Sequence, residues 1–157
     1  MKIKNYSLLA ICFFAGALFI TGCQTNTQTV PVSVNFGNPP AGGGPCGGKG
    51  ICSAVANPTP VANNPSGVAA TLQVSSTDKN VLVLTFSMAD LKAKQPEQER
   101  LFTDASNTYN FDGSFDLSDK MYAPLKLAPG ARIDKNSKSK VEINGDVVKV
   151  SYTYSHN

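Results

Sequence analysis

Lys140–Tyr154 reads KVEINGDVVKVSYTY, and this stretch decides the fold. Asn144-Gly145 sits between two β-rich runs. That dipeptide favours a two-residue type I′ turn, because both central positions need positive φ. With such a turn, Ile143 pairs with Asp146 and Val141 with Val148. The apolar face then reads Val141, Ile143, Val148, Val150, Tyr152 and Tyr154, and the period-two pattern carries through the turn without slipping.

Working outward, the preceding residues supply further strands and a helix. Ala69–Ser76 (AATLQVSS) and Val81–Phe86 (VLVLTF) read as strands joined by a turn at Thr77-Asp78-Lys79-Asn80. Ser87 stands where an N-cap belongs, with Asp90 three positions on as a weak capping box. The helix is expected from Met88 to about Asp104, with Pro96 kinking it or starting a second segment. In Thr108–Leu117 the residues Tyr109, Phe111, Phe115 and Leu117 alternate, which is a half-buried strand. A short strand is expected near Leu125-Lys126-Leu127. The fold class is therefore α+β, an antiparallel sheet with one helical segment on a face. A small all-β sandwich is the alternative.

Upstream, the chain changes character. Gln24–Gly67 holds seven prolines and eight glycines in 44 residues, and Lys49 is its one charged side chain. Runs such as Asn38-Pro39-Pro40-Ala41-Gly42-Gly43-Gly44 and Ala56-Asn57-Pro58-Thr59-Pro60 build neither helices nor central strands. The composition predicts a flexible tether over residues 23–67, reaching roughly 35–40 Å by coil scaling. Residues 68–157 are then a single small domain with one core.

Pro45-Cys46-Gly47-Gly48-Lys49-Gly50-Ile51-Cys52 stands out within this stretch. Outside the cytoplasm, Cys46 and Cys52 most simply form a disulfide, with free or partner-linked thiols as the alternative. Two ligands are too few for zinc. Gly43–Lys49 imitates a phosphate-binding loop. However, Gly50 occupies the position of the magnesium-binding hydroxyl, and no strand-to-helix context surrounds it.

The first residues, MKIKNYSLLAICFFAGALFITGC, give a basic start at Lys2 and Lys4. A charge-free, mostly apolar stretch of 13 residues follows, Leu8–Ile20. It is too short to span a bilayer, which takes about 20 apolar residues, and has the size of a signal peptide. The stretch ends Ile20-Thr21-Gly22-Cys23, an aliphatic residue, two small ones and a cysteine. This resembles the lipobox of bacterial lipoproteins. The resemblance covers residues 1–23 and implies that signal peptidase cuts between Gly22 and Cys23. It further implies that Cys23 carries a diacylglycerol thioether and that residues 1–22 are discarded. Two or three acyl chains anchor durably where one does not. Gln24, rather than Asp, follows the cysteine. In enteric-type bacteria that favours the outer membrane, and no acidic surface-export run follows, which favours its periplasmic side.

Removing Lys2 and Lys4 from 14 basic residues leaves 12 against 11 acidic ones, a mature net charge near +1. Nothing electrostatic then argues for nucleic acid. Asp112, Asp116 and Asp119 lack the spacing of a calcium loop and read as wet-face acids. Arg132, Lys135, Lys138 and Lys140 read as a solvated basic loop. His156, the only histidine, is next to the last residue and makes a poor general base. Glu97 and Glu99 read as exposed helix charge. No cofactor and no metal are expected, and the chain is not read as an enzyme. The expectation is a lipid-anchored, non-enzymatic binding module for an envelope protein or glycan, with Tyr109, Tyr152 or Tyr154 as contact or core residues. A structural or stress-related envelope role is the alternative, as is a protease inhibitor presenting the Cys46–Cys52 loop.

Overall fold

Val30, Val32, Val34 and Phe36 alternate with polar residues or Pro31, which is the strand period. In the computed structural model these residues form a strand, β1 (Thr29–Gly37), with all four side chains buried. The structure describes residues 28–37, 53–103, 108–111, 117, 119–127, 130–133 and 139–155. After β1 come β2 (Ser53–Thr59), β3 (Val68–Val74), β4 (Val81–Ser87), the helices α1 (Met88–Lys94) and α2 (Glu99–Thr103), and then β5 (Thr108–Phe111), β6 (Arg132–Ile133), β7 (Lys140–Asn144) and β8 (Val147–Ser155).

The strands make one sheet in the order β5-β2-β1-β3-β4-β8, with β7 and β6 following one another along the far side of β8. All neighbours are antiparallel except β2 and β5. The sheet curls as a half-barrel. The described residues are thus β-rich, with one helix of seven residues and a shorter α2 among them.

This corrects the expected tether, because residues 29–37 and 53–59 lie inside the sheet and β1 is a central strand. Two prolines had argued against strands there. β2 pairs with β1 only from Ser33 onward, so around Pro31 that side of β1 carries no ladder for proline to break. Pro58 likewise lies beyond the stretch of β2 that pairs with β5. The domain therefore begins near Thr29, not at Val68.

β2 and β3 flank different halves of β1, Thr59 opposite Ser33 and Val68 opposite Val34. The segment joining them lies against the face of β1 that Ser33 occupies. Ser33 is 2% exposed there and donates to the Asn64 carbonyl at 2.6 Å. Gly67 is required beneath this crossing, since a Cβ would sit 2.2 Å from Ser33 Oγ and 2.4 Å from Asn64 Nδ2.

The core face collects Leu72, Leu82, Leu84, Val148 and Val150, all fully buried. Phe36, Phe86 and Phe102 meet with ring centroids 4.9–5.1 Å apart, and Tyr109 stacks on Phe102 at 4.6 Å. Such offset and edge contacts contribute about 0.5–1.5 kcal/mol per pair beyond their burial. Helix α1 adds Leu91 and α2 adds Leu101 to this layer.

The Ser87 cap forms as expected, accepting from the Asp90 N–H at 3.1 Å. Asp90 does not complete a box. Its carboxylate accepts from Ala69 N–H at 2.7 Å and pairs with Lys94 at 3.3 Å, while Lys94 also donates to the Gly67 carbonyl at 2.8 Å. Gln95 extends this seal. Its Oε1 accepts from Phe36 N–H at 2.9 Å, and its Nε2 donates to the Val34 carbonyl at 3.1 Å and to Asn35 Oδ1 at 3.0 Å. β3 pairs with β1 only as far as Val34, so the Gln95 amide supplies the bonds a longer β3 would make.

The final hairpin differs from expectation by two residues of register. Asn144 pairs with Val147, Ile143 with Val148 and Val141 with Val150, leaving Gly145-Asp146 as the turn. Only Gly145 has positive φ, at 58°, the pattern of a type II′ turn rather than I′. A slip of two keeps every side chain on its face. Its cause is visible at Asp146, which now reaches α1. Asp146 Oδ1 accepts from Ala89 N–H at 2.7 Å, Oδ2 accepts from Ser87 Oγ at 2.5 Å, and its carbonyl accepts from Met88 N–H at 2.7 Å. The short strand expected at 125–127 is also absent. Lys120–Leu125 is instead a 3₁₀ turn, capped by Asp119 and ending at Lys126 in the left-handed region, φ 53°.

Candidate functional site

The face of the sheet away from the core is built by the alternate residues of four adjacent strands. Register places Gln73, Val83, Ser151 and Lys140 in one row across β3, β4, β8 and β7. Thr71, Thr85, Lys149 and Glu142 form the next. Alternation explains this outcome, because the partners of these residues along each strand are the buried Leu72, Leu82, Leu84 and Val150.

The first row, with Lys149 and Glu142 of the second, lines a groove of about 450 Å³. That volume lies within the ordinary range of small-molecule sites, about 300–1,000 Å³. One wall is the β3–β4 turn, ordered by its own side chains. Ser75 Oγ lies 3.0 Å from Thr77 Oγ1 and accepts from the Thr77 and Asp78 N–H groups at 3.2 and 3.3 Å, while Asp78 Oδ1 accepts from Asn80 N–H at 2.9 Å. The other wall carries Lys140, Glu142 and Lys149. Lys140 donates to Glu142 Oε1 at 2.7 Å. That hydrogen bond, with the charges of Lys140 and Lys149, holds the Glu142 carboxyl below the usual carboxylate range. At neutral pH Glu142 is therefore an acceptor and not a proton donor. The groove offers hydroxyls, an amide, two ammonium groups and two carboxylates on paired strands and the β3–β4 turn. It suits binding of a hydroxyl-rich or zwitterionic molecule.

The other residues singled out from the sequence fall elsewhere. Gly22, Cys23, Cys46 and Cys52 lie outside the described residues, as do Asp112, Asp116, Lys135, Lys138 and His156. The Cys46–Cys52 segment lies in sequence between β1 and β2. Asp119 caps the 3₁₀ turn, accepting from Met121 N–H at 3.3 Å. Glu97 is exposed and Glu99 pairs with Lys92 at 2.8 Å. Arg132 is exposed on β6, and Lys140 of the basic stretch lines the groove.

Tyr109, Tyr152 and Tyr154 are core residues, 1%, 1% and 5% exposed. Burial raises the Tyr152 and Tyr154 hydroxyls above the ordinary phenol range, so both stay protonated. Tyr154 donates to the Lys79 carbonyl. Tyr122, raised likewise by burial and then by Asp119, donates to the Pro58 carbonyl at 3.3 Å.

Sequence reasoning missed Gln73, Lys149 and Ser151. Alternation marks each as outward-facing, but only the strand order makes them neighbours. Among the described residues, no three His, Cys, Asp or Glu side chains converge as metal ligands, and no helix is long and apolar enough to cross a membrane. No protein-family model, curated protein or solved structure matches this chain.

Proposed function

We propose that this chain is a bacterial envelope lipoprotein whose domain is a non-enzymatic binding module for an envelope glycan. The lipobox-like Ile20-Thr21-Gly22-Cys23 supports the anchor, with lipid on Cys23 and cleavage after Gly22. Gln24 supports placement on the outer membrane, facing the periplasm.

The observation that carries the binding role is the row Gln73–Val83–Ser151–Lys140, polar except at Val83, set across four paired strands beneath a groove of about 450 Å³. Its groups are fixed by the backbone ladder, so little ordering entropy opposes binding. Gln73 and Ser151 both donate and accept, Lys140 donates and Glu142 accepts, a mixture that matches the hydroxyls, amides and carboxylates of envelope glycans.

Titrating the mature chain with soluble peptidoglycan fragments and with lipopolysaccharide core glycan tests the role. Ser151→Tyr fills the centre of the groove from a half-buried site on the wet face. It is expected to weaken glycan binding by about tenfold or more, equivalent to roughly 1.4 kcal/mol, with the melting temperature held. Equal binding by the native and Ser151→Tyr chains, or none by the native chain, overturns the role.

A further inference from the structure

A second groove, of about 480 Å³, opens at the end of the sheet where β1 starts. It is lined by Gln28, by Val74 at the end of β3, by Lys79 in the β3–β4 turn, and by Leu125, Lys126 and Leu127 after the 3₁₀ turn. Val74 and Leu127 are half-buried and Leu125 is buried, so its floor is apolar. Lys79 and Lys126 are exposed at its rim, and neither makes an ion pair among the described residues. Lys126 occupies a left-handed backbone position that normally favours glycine or asparagine.

Chain length ties this end to the membrane. Gln28 follows Cys23 by five residues, at most about 18 Å of fully extended chain. β1 is nine residues, about 30 Å, long. A lipid on Cys23 therefore cannot reach the bilayer if the domain stands on its opposite end, because Gln28 would then be about 30 Å away from the surface. The leash holds the Lys79–Lys126 groove toward the head groups, whose layer is about 5–7 Å deep per leaflet.

We propose that this groove docks on the head group of an anionic phospholipid in the anchoring leaflet, with Lys79 and Lys126 on the phosphate and the apolar floor against the upper acyl region. The proposal rests on the lipoprotein reading and adds an orientation to it. The glycan groove shares Ser75 and Ser76 of the β3–β4 turn with this groove and extends from there along β4, β8 and β7.

The chain contains no tryptophan, so single reporters are clean. Ser76→Trp places one at an exposed position lining the groove, and Val147→Trp places one at the opposite end, where Val147 is 44% exposed. Each full mature protein is purified, its mass is checked for lipid on Cys23, and it is reconstituted in phosphatidylcholine vesicles with and without phosphatidylglycerol. The quencher is a lipid brominated near the head group.

The Ser76→Trp reporter is expected to be quenched more strongly than the Val147→Trp reporter, and severalfold more again when phosphatidylglycerol is present. Adding Lys79→Glu and Lys126→Glu should return it to the phosphatidylcholine level, since one basic side chain at an anionic surface is worth about fivefold in partitioning. Equal quenching at both ends overturns the docking, as does quenching that ignores phosphatidylglycerol and both lysines. The latter result assigns the groove to the chain's own acyl groups. Absence of lipid on Cys23 is a separate outcome, which overturns the lipoprotein reading and the leash with it.

Discussion

Replacing Gln95 with alanine probes how a seven-residue helix completes the sheet. The Gln95 amide makes three hydrogen bonds to β1, to Phe36 N–H, the Val34 carbonyl and Asn35 Oδ1, at 2.9–3.1 Å. Each is worth about 0.5–1.5 kcal/mol net. Gln95 is half-buried, so water re-satisfies part of what is lost. The expected cost is about 2 kcal/mol, a large fraction of a typical 5–15 kcal/mol stability. It corresponds to a fall of roughly 5–10 °C in melting temperature.

Urea unfolding followed by near-ultraviolet circular dichroism reads this as a lower midpoint with an unchanged slope. Gln95→Glu sharpens the test. It keeps the acceptor for Phe36 but sets a carboxylate against two oxygens, which raises its pKa in the folded state. A raised carboxyl pKa gives stability that is present at low pH and lost as pH rises through it. The Glu variant should therefore be at least as unstable as the Ala variant at pH 7 and should recover on acidification. A Gln95→Ala chain within about 0.5 kcal/mol of native, the size of an ordinary surface change, refutes the reasoning.

Three further outcomes follow from the same contacts. Asp146 is held below the usual carboxylate range by the Ser87 hydroxyl and then by the Ala89 N–H. Its contribution is present above the unfolded value of 3.8 and is lost as pH falls through the lower folded value; a pH series of urea midpoints should show a flatter acid limb in Asp146→Asn. Gly67→Ala forces a Cβ onto Ser33 Oγ and Asn64 Nδ2 and should cost about 1–3 kcal/mol in urea unfolding, part of it recovered by Ser33→Ala. A chain starting at Gly67 lacks β1 and β2 and should show no cooperative transition, whereas one starting at Gln28 should keep it.

Much of the sheet is legible in the residues. The apolar run of Val81–Phe86, the alternation in Val148–Tyr154, the Ser87 cap and the break at Pro96 all reach the structure as read. β1 was equally legible in Val30, Val32, Val34 and Phe36, but composition outweighed periodicity. Pro31 breaks no ladder, because the rule against strand prolines applies to positions paired on both sides, and sequence does not show where β2 stops pairing. The hairpin turn was misplaced by local chemistry. Asn-Gly prefers the type I′ turn in isolation, yet the tertiary bonds of Asp146 to Ser87, Met88 and Ala89 select Gly-Asp. The tyrosines were ambiguous by type, and their depth depends on how the sheet curls. The polar groove was least legible, since its row joins residues as far apart as Gln73 and Ser151.

Everything assigned to membrane attachment depends on Cys23. Mass spectrometry of the N-terminal peptide of protein purified from membranes tests it most directly. The expected species begins at Cys23 and carries the added mass of a diacylglycerol thioether, with or without a third acyl chain. A peptide that begins elsewhere, or that begins at Cys23 without lipid, contradicts the anchor and the membrane-facing orientation built on it.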